Sequence, residues 1–228
     1  MENYWHPVEE QWRNLHLATL TPLLKITREV HQFVADVSTN PELTQIQPSA
    51  RLTVERLLLR RLGEELRAVE ILAERGHGFQ AISNAANIFE QSKFLTYISA
   101  DEKRAEDFLK WSEPRYSMER IDELNKIVGK MLSWDKNRIE EEYEKYRFLC
   151  GFKHNNPMFM SVVRLPVDPD QYLARLALSD SNWFILISVS LLTLQRFSDE
   201  KLISAIEKCN LLLEAIKLEF QKLPTINS

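Results

Sequence analysis

Apolar residues recur every three or four positions along most of the chain, which is the period of an amphipathic helix. The pattern is clearest over 51–75, and its apolar positions are Val54, Leu58, Leu62, Leu66, Val69 and Leu72. Gly76 and Gly78 follow this segment, and glycine favours the end of a helix. We therefore expect the helix to stop at these two glycines.

The same periodicity predicts helices along the rest of the chain. One or two helices are expected over 1–37, with Pro22 as the position for a kink. The helix that ends near residue 154 is expected to stop before Pro157, because the residue preceding a proline avoids helical geometry. The further predicted helices are 79–99, 101–112, 117–133, 135–154, 170–196 and 199–222.

The helical pattern and the composition together predict an all-α fold. The chain contains 5 glycines in 228 residues, and its pattern shows no alternation of strands and helices. Turn-forming residues over 38–50 indicate a linker, and prolines over 156–169 indicate a long loop. We therefore predict an N-terminal helical arm over 1–50, followed by a multi-helix bundle over 51–228.

Charge, cysteine content and hydropathy narrow the class of protein. The formal net charge is −4, which argues against a general nucleic-acid coat protein but is compatible with a local basic groove. Two cysteines, Cys150 and Cys209, are too few for a disulfide framework, and the N-terminus lacks the pattern of a signal peptide. The longest apolar run, 183–194, is too short to cross a membrane and is typical of a buried core helix. We expect a cytoplasmic protein.

Candidate chemistry is concentrated in the segment EEEYEKYRFLCGFKHNNP, which contains Arg147 and His154. The two residues are seven positions apart, close to two helical turns, so both side chains are expected on one stripe of a helix. Arginine binds phosphate oxygens in any protonation state, and histidine can transfer a proton near neutral pH. The pair could hold and cleave a phosphodiester without a metal or another cofactor, or it could be structural.

The surroundings of this pair favour a groove or a subunit interface. The helix is apolar on nearly all sides, which is typical of a buried helix, and a buried arginine without a partner would be costly. Gly151 lies between Arg147 and His154. Its missing side chain would let a phosphate backbone or another helix approach, although tight packing inside one subunit explains the glycine equally well.

The reaction expected of such a pair is metal-independent cleavage of RNA. His154 would act as general base toward a ribose 2′-hydroxyl, or as general acid toward the leaving 5′-oxygen. Arg147 would stabilise the charge that develops on the phosphate. A homodimer would bring two such pairs together and supply both an acid and a base.

At these residues the chain resembles the HEPN superfamily (higher eukaryotes and prokaryotes nucleotide-binding domain). The hallmark of that family is an arginine that precedes a histidine near the end of a helix, with four to six residues between them. Six residues separate Arg147 and His154. The stretches RGHGFQAISNAANIFEQSKFLTYI (75–98) and YRFLCGFKHNNP (146–157) are similar to an uncharacterised bacterial HEPN-like family, and the resemblance covers roughly 51–200.

The resemblance implies an all-α domain that often forms a homodimer and, in many relatives, a ribonuclease toxin of toxin–antitoxin or antiviral defence systems. An antitoxin or another defence protein is then a candidate partner. Other relatives are inactive, so the alternative is a non-catalytic helical module that binds nucleotide, nucleic acid or a protein. Phe148 favours the alternative, because HEPN nucleases often carry a polar residue after the arginine.

Other charged residues extend the candidate site. Glu90 matches a recurrent acidic residue of the resembling family, and it either orients Arg147 or His154 through a salt bridge or is a solvated helix residue. Lys145 and Lys153 are expected to bind RNA beside the pair. The acidic run 140–144 is interpreted as an exposed helix face. The arginines of 51–67 could line an RNA groove, but the favoured interpretation is a solvated face on which they pair with Glu55, Glu64, Glu65 and Glu70.

Overall fold

The computed structural model describes residues 6–40, 49–110, 118–154, 164, 167–196 and 199–223. Every regular element in these residues is a helix, and the predicted all-α multi-helix bundle is confirmed. The eight helices of the described part are α1 (His6–Thr39), α2 (Ala50–Glu74), α3 (Gly78–Ser99), α4 (Glu102–Lys110), α5 (Met118–Met131), α6 (Lys136–Lys153), α7 (Pro169–Arg196) and α8 (Asp199–Phe220).

The first helix is one element of 34 residues that continues through Pro22. A proline inside a helix removes the hydrogen bond to the carbonyl four residues earlier, here that of Ala18. Ala18 is exposed, so water can satisfy this carbonyl. The centre of the predicted linker, 41–48, lies outside the described residues.

The C-terminal half of α1 packs into the bundle. Its buried side chains belong to the same hydrophobic cluster as those of the other helices. The Arg28 guanidinium donates to the Glu70 carboxylate of α2 at 2.8 Å, and the Asn182 amide of α7 donates to the Thr27 hydroxyl at 2.8 Å. The buried apolar residues of α1 from Leu20 onward are Leu20, Leu23, Leu24, Ile26, Val30, Phe33, Val34 and Val37.

Two glycines shape the turn between α2 and α3, and only one of them ends a helix. Gly76 has a φ of 81°, and a Cβ atom there would lie 2.6 Å from the Trp12 ring. Gly78 was expected to help stop α2, but it is the first residue of α3. A Cβ atom on Gly78 would lie 2.3 Å from the Asp170 carbonyl oxygen, so glycine lets the starts of α3 and α7 approach each other.

The centre of the bundle is the contact between α3 and α7. Phe89 of α3 is fully buried, with the Tyr146 ring stacked at 4.8 Å on one side and the Phe184 ring edge-on at 4.9 Å on another. Within the described residues, one helix, α7, has the length and apolar composition of a membrane span, and 78% of that window is buried inside the protein. Such burial is typical of a core helix.

Helix α6 begins and ends with clear caps. The Asp135 carboxylate accepts from the Arg138 backbone N–H at 2.8 Å, and His154 follows the last helical residue as the C-cap. On one side α5 approaches closely, because a Cβ atom on Gly129 would lie 2.4 Å from Ile139. The predicted loop 156–169 lies almost wholly outside the described residues.

Candidate functional site

Arg147 and His154 lie on the exposed side of α6. The Arg147 side chain is 56% exposed, and His154 is exposed at the helix end. Seven residues correspond to about 20° of rotation and about 10 Å of rise along a helix. The two side chains therefore project from one side of α6, separated by two turns.

The Arg147 guanidinium is directed away from His154. Its Nη1 donates to the Glu144 Oε1 at 2.8 Å, one turn toward the N-terminus, which is also the direction in which helical side chains lean. The His154 backbone N–H donates to the Cys150 carbonyl at 3.1 Å. Within one chain, the Arg147 guanidinium and the His154 imidazole are therefore separated along α6.

The exposed side of α6 is wider than its apolar sequence suggested. Gly151 is buried, which agrees with tight packing inside one subunit rather than with an opening between Arg147 and His154. Other members of the exposed stripe are Lys136, Asn137, Glu140, Glu141 and Glu144. Because these residues are polar, the pair lies on an open, charged surface.

Glu90 bonds to the neighbour of Arg147 rather than to the predicted pair. Its Oε1 accepts from the Tyr146 hydroxyl at 2.7 Å. Burial raises the pKa of Tyr146, and the hydrogen bonds with Cys150 and Glu90 raise it further, so the phenol remains a donor. Glu90 therefore fixes α6 to α3 beside the candidate site and acts on Arg147 only through the helix.

The two lysines predicted to bind RNA lie on different parts of α6 from Arg147. The Lys153 ammonium donates to the Asn87 amide oxygen at 2.9 Å. The Lys145 ammonium donates to the Glu142 carboxylate at 3.3 Å and lies 5.6 Å from the centre of the Trp183 ring. Two residues correspond to about 200° of rotation, so Lys145 projects from the side of α6 opposite to Arg147.

The inner side of α6 holds a buried cluster of charged residues that the sequence patterns did not predict. Glu142 was interpreted as part of an exposed acidic run, but it is 1% exposed. Its carboxylate lies 3.3 Å from Arg138 and from Lys145, and 3.8 Å from the Lys93 ammonium of α3. Asp180 of α7 is also buried nearby, within electrostatic range of Glu142 and Lys145.

The cluster perturbs the ionisation of two of its members. Burial lowers the pKa of Lys93 to about 8, although the Glu142 carboxylate partly offsets this effect. Burial raises the pKa of Asp180 to about 7, and the nearby Glu142 adds to the effect while Lys145 opposes it. The Lys93 ammonium also lies 4.8 Å from the ring centres of Phe89 and Trp134, in the range of a cation–π contact.

A sequence signal for part of this cluster exists. One stripe of the helix contains Arg138, Glu142 four residues later and Lys145 three residues after that. The stripe includes the apolar core position Leu149, so its burial could have been inferred. Lys93 and Asp180 come from other helices, and only the fold brings them together.

Ion pairs join three arginines of α2 to glutamates: Arg51 to Glu102, Arg60 to Glu64 and Arg67 to Glu70. Two of the expected glutamate partners, Glu55 and Glu70, are buried rather than solvated. Arg60 pairs with Glu64 at 2.9 Å on the surface, as their spacing predicts. Glu55 is 1% exposed and binds Arg196 of α7 at 2.7 Å, and Glu70 is 2% exposed and binds Arg28 of α1. These buried carboxylates therefore join α2 to α7 and α1.

The chain matches no family model, no curated protein and no solved structure.

Proposed function

We propose that this protein is a HEPN-like, metal-independent endoribonuclease that acts as a homodimer in the cytoplasm, with Arg147 and His154 as its catalytic pair. The observation that supports this proposal is the placement of both side chains on the exposed side of α6, where RNA or a second subunit can reach them. The biological role that we propose is that of a ribonuclease toxin or antiviral effector, which an antitoxin or a defence partner restrains.

The ion pair of Arg147 is compatible with phosphate binding. Arg147 and Glu144 are both more than half exposed, and exposed ion pairs contribute only about 0–1 kcal/mol. Exchange of the Glu144 carboxylate for a phosphate therefore costs little. A phosphate also accepts two parallel hydrogen bonds from a guanidinium, which makes it a stronger partner.

The direction of the side chains supports the proposal of a homodimer. Within one chain the Arg147 guanidinium leans toward Glu144, away from His154. A homodimer with Arg147 and His154 of both subunits near its two-fold axis would bring the two pairs together. The shared cleft would then hold two guanidiniums and two imidazoles at the same phosphate.

The reaction is a transesterification. Neutral His154 of one subunit removes the proton from the ribose 2′-hydroxyl, whose oxygen attacks the adjacent phosphorus. The bond from phosphorus to the 5′-oxygen breaks, and protonated His154 of the partner subunit donates the proton to that oxygen. Arg147 stabilises the added negative charge on the phosphate. The products are a 2′,3′-cyclic phosphate and a 5′-hydroxyl, and DNA is not cleaved.

The test is RNA cleavage in EDTA by the wild type and by His154→Ala. We expect the variant to lose about 100-fold or more of the rate, as is typical for removal of a general acid–base. His16→Ala is the matched control, since it removes a histidine from the distant helix α1. A wild type without activity, or equal cleavage by both histidine variants, would overturn the proposal.

A non-catalytic interaction module is the second candidate, and two contacts favour it. Phe148 is half-buried with its ring edge-on to Phe152 at 5.0 Å, so it offers no polar group beside Arg147. Lys145 and Lys153 already have polar partners. Under this alternative, the wild type binds RNA or a protein partner without cleaving RNA, and His154→Ala leaves that binding unchanged.

A further inference from the structure

A small cavity lies where α3, α5, α6 and α7 meet, on the inner side of α6. Its volume is about 10 Å³, which corresponds to roughly one water-sized probe. Lys93 and Glu142 line it, and they are 5% and 1% exposed. Ser92 and Ser188 add two hydroxyl groups to its wall.

The contact between Lys93 and Glu142 is too long for a hydrogen bond. The Lys93 Nζ and Glu142 Oε2 atoms are 3.8 Å apart, whereas an N–H···O bond spans about 2.7–3.2 Å. Among the described residues, the Glu142 Oε2 and the Ser92 Oγ atoms have no hydrogen-bond partner. Unpaired polar atoms at such depth are costly, so two of them beside the Lys93 ammonium at one cavity call for a common partner.

We propose that this cavity is a binding site for one water molecule that links Lys93, Glu142 and Ser92. The water accepts a hydrogen bond from the Lys93 ammonium and donates one each to Glu142 Oε2 and Ser92 Oγ. Three such bonds are typical of a buried water in a protein. The water thus supplies Glu142 Oε2 and Ser92 Oγ with the partner that the direct contacts do not provide.

The charges around the cavity select a neutral ligand. A cation would be repelled by the Lys93 ammonium and an anion by the Glu142 carboxylate, whereas a water molecule offers an acceptor to the first and a donor to the second. The volume excludes anything much larger than water. The bound water also solvates the Lys93 ammonium, which keeps the lysine charged in spite of burial.

Two serine variants provide the test, because both remove a hydroxyl from the same cavity wall. Ser92→Ala removes a proposed ligand of the water. Ser188→Ala is the matched control, since the Ser188 hydroxyl already donates to the Ile185 carbonyl at 3.0 Å. High-resolution crystal structures and NMR titration of the Lys93 amine supply the two measurements.

In the wild type we expect an ordered water within about 3 Å of Glu142 Oε2 and Ser92 Oγ. The pKa of Lys93 should fall by about one pH unit in Ser92→Ala, because one hydrogen bond to the water is lost, and should not change in Ser188→Ala. A direct Lys93–Glu142 hydrogen bond with no water density, or equal pKa changes in the two variants, would overturn the proposal.

Discussion

Helix α6 carries the same sequence pattern twice, and the two copies form different structures. Glu142 precedes Lys145 by three residues, and Glu144 precedes Arg147 by three residues. Both pairs form ion contacts, at 3.3 Å and 2.8 Å. The Glu142 side chain is 1% exposed and the Glu144 side chain is 57% exposed, because a shift of two residues rotates a side chain about 200° around the helix.

This difference separates a structural cluster from a candidate functional surface. A buried carboxylate with several cations around it is fixed, because loss of one partner leaves uncompensated charge in the core. An exposed ion pair contributes little and exchanges partners easily. The outer side of α6 can therefore bind RNA or a second subunit, while the inner side holds the helix in place.

The largest effect on stability is expected from neutralising Glu142, on the inner side of α6. Glu142→Gln leaves Lys93, Arg138 and Lys145 without their shared carboxylate, and we expect the free energy of unfolding to fall by about 3–5 kcal/mol. Chemical denaturation followed by circular dichroism measures this change. Glu144→Gln on the outer side is the control, with an expected change within about 0.5 kcal/mol. An equal loss of stability in the two variants would mean that Glu142 and Glu144 contribute equally to the folded state, in spite of their different burial.

The next effect concerns the pH dependence of the inner cluster. Asp180 has a pKa of about 7 in the folded protein because it is buried, against about 3.9 in an unfolded chain. Between these values the folded state holds a proton that the unfolded state releases, so the contribution of Asp180 to stability is lost as the pH rises from about 4 to 7. Below pH 4 both states are protonated and the contribution is complete.

Asp180→Asn removes this dependence. We expect the variant and the wild type to have similar stability near pH 4, and the variant to be more stable by about 4 kcal/mol at pH 8, because each pH unit between about 4 and 7 costs the wild type about 1.4 kcal/mol. Urea denaturation across this pH range gives the difference curve. Asp107→Asn, at an exposed position of α4, should give a flat curve. A flat curve for Asp180→Asn as well would contradict the burial of this carboxylate.

A smaller effect on stability is expected at Tyr146, which lies between the inner and outer sides of α6. Tyr146→Phe removes the hydroxyl that donates to Glu90 at 2.7 Å, and we expect a loss of about 1 kcal/mol in the free energy of unfolding. Tyr143→Phe removes a hydroxyl one turn earlier, on a half-exposed side chain, and should change stability by less than about 0.5 kcal/mol. Thermal denaturation of both variants decides whether the Glu90 contact holds α6 to α3.

Local patterns in the sequence predicted the helices well and their burial less well. The periodic positions of α2 and the stop at Gly76 depend on neighbours within a turn or two, so the sequence contains the necessary signal. Gly78 was misassigned because its role is set by Asp170, far away in the chain. Glu142 was misassigned because the acidic run was interpreted as one exposed face, although Glu142 lies on the same helical stripe as the core residue Leu149.

The candidate site was only partly predictable for the same reason. The spacing of Arg147 and His154 predicts one side of α6 for both, and both are exposed in the structure. The partners of Glu90, Lys145 and Lys153 depend on how α3 and α7 pack against α6, which no spacing along one helix reveals. The direction of the Arg147 side chain, toward Glu144, likewise emerged only from the structure.

The smallest effect on stability is expected at the proposed catalytic arginine. A double-mutant cycle of Arg147→Gln and Glu144→Gln should give a coupling energy below about 0.5 kcal/mol, because both side chains are more than half exposed. Under the proposed function, Arg147→Gln nevertheless abolishes RNA cleavage. Denaturation and EDTA-resistant cleavage measured on the same preparations separate the two effects. A large coupling energy would show that Arg147 stabilises the fold, and loss of cleavage could then no longer be assigned to catalysis.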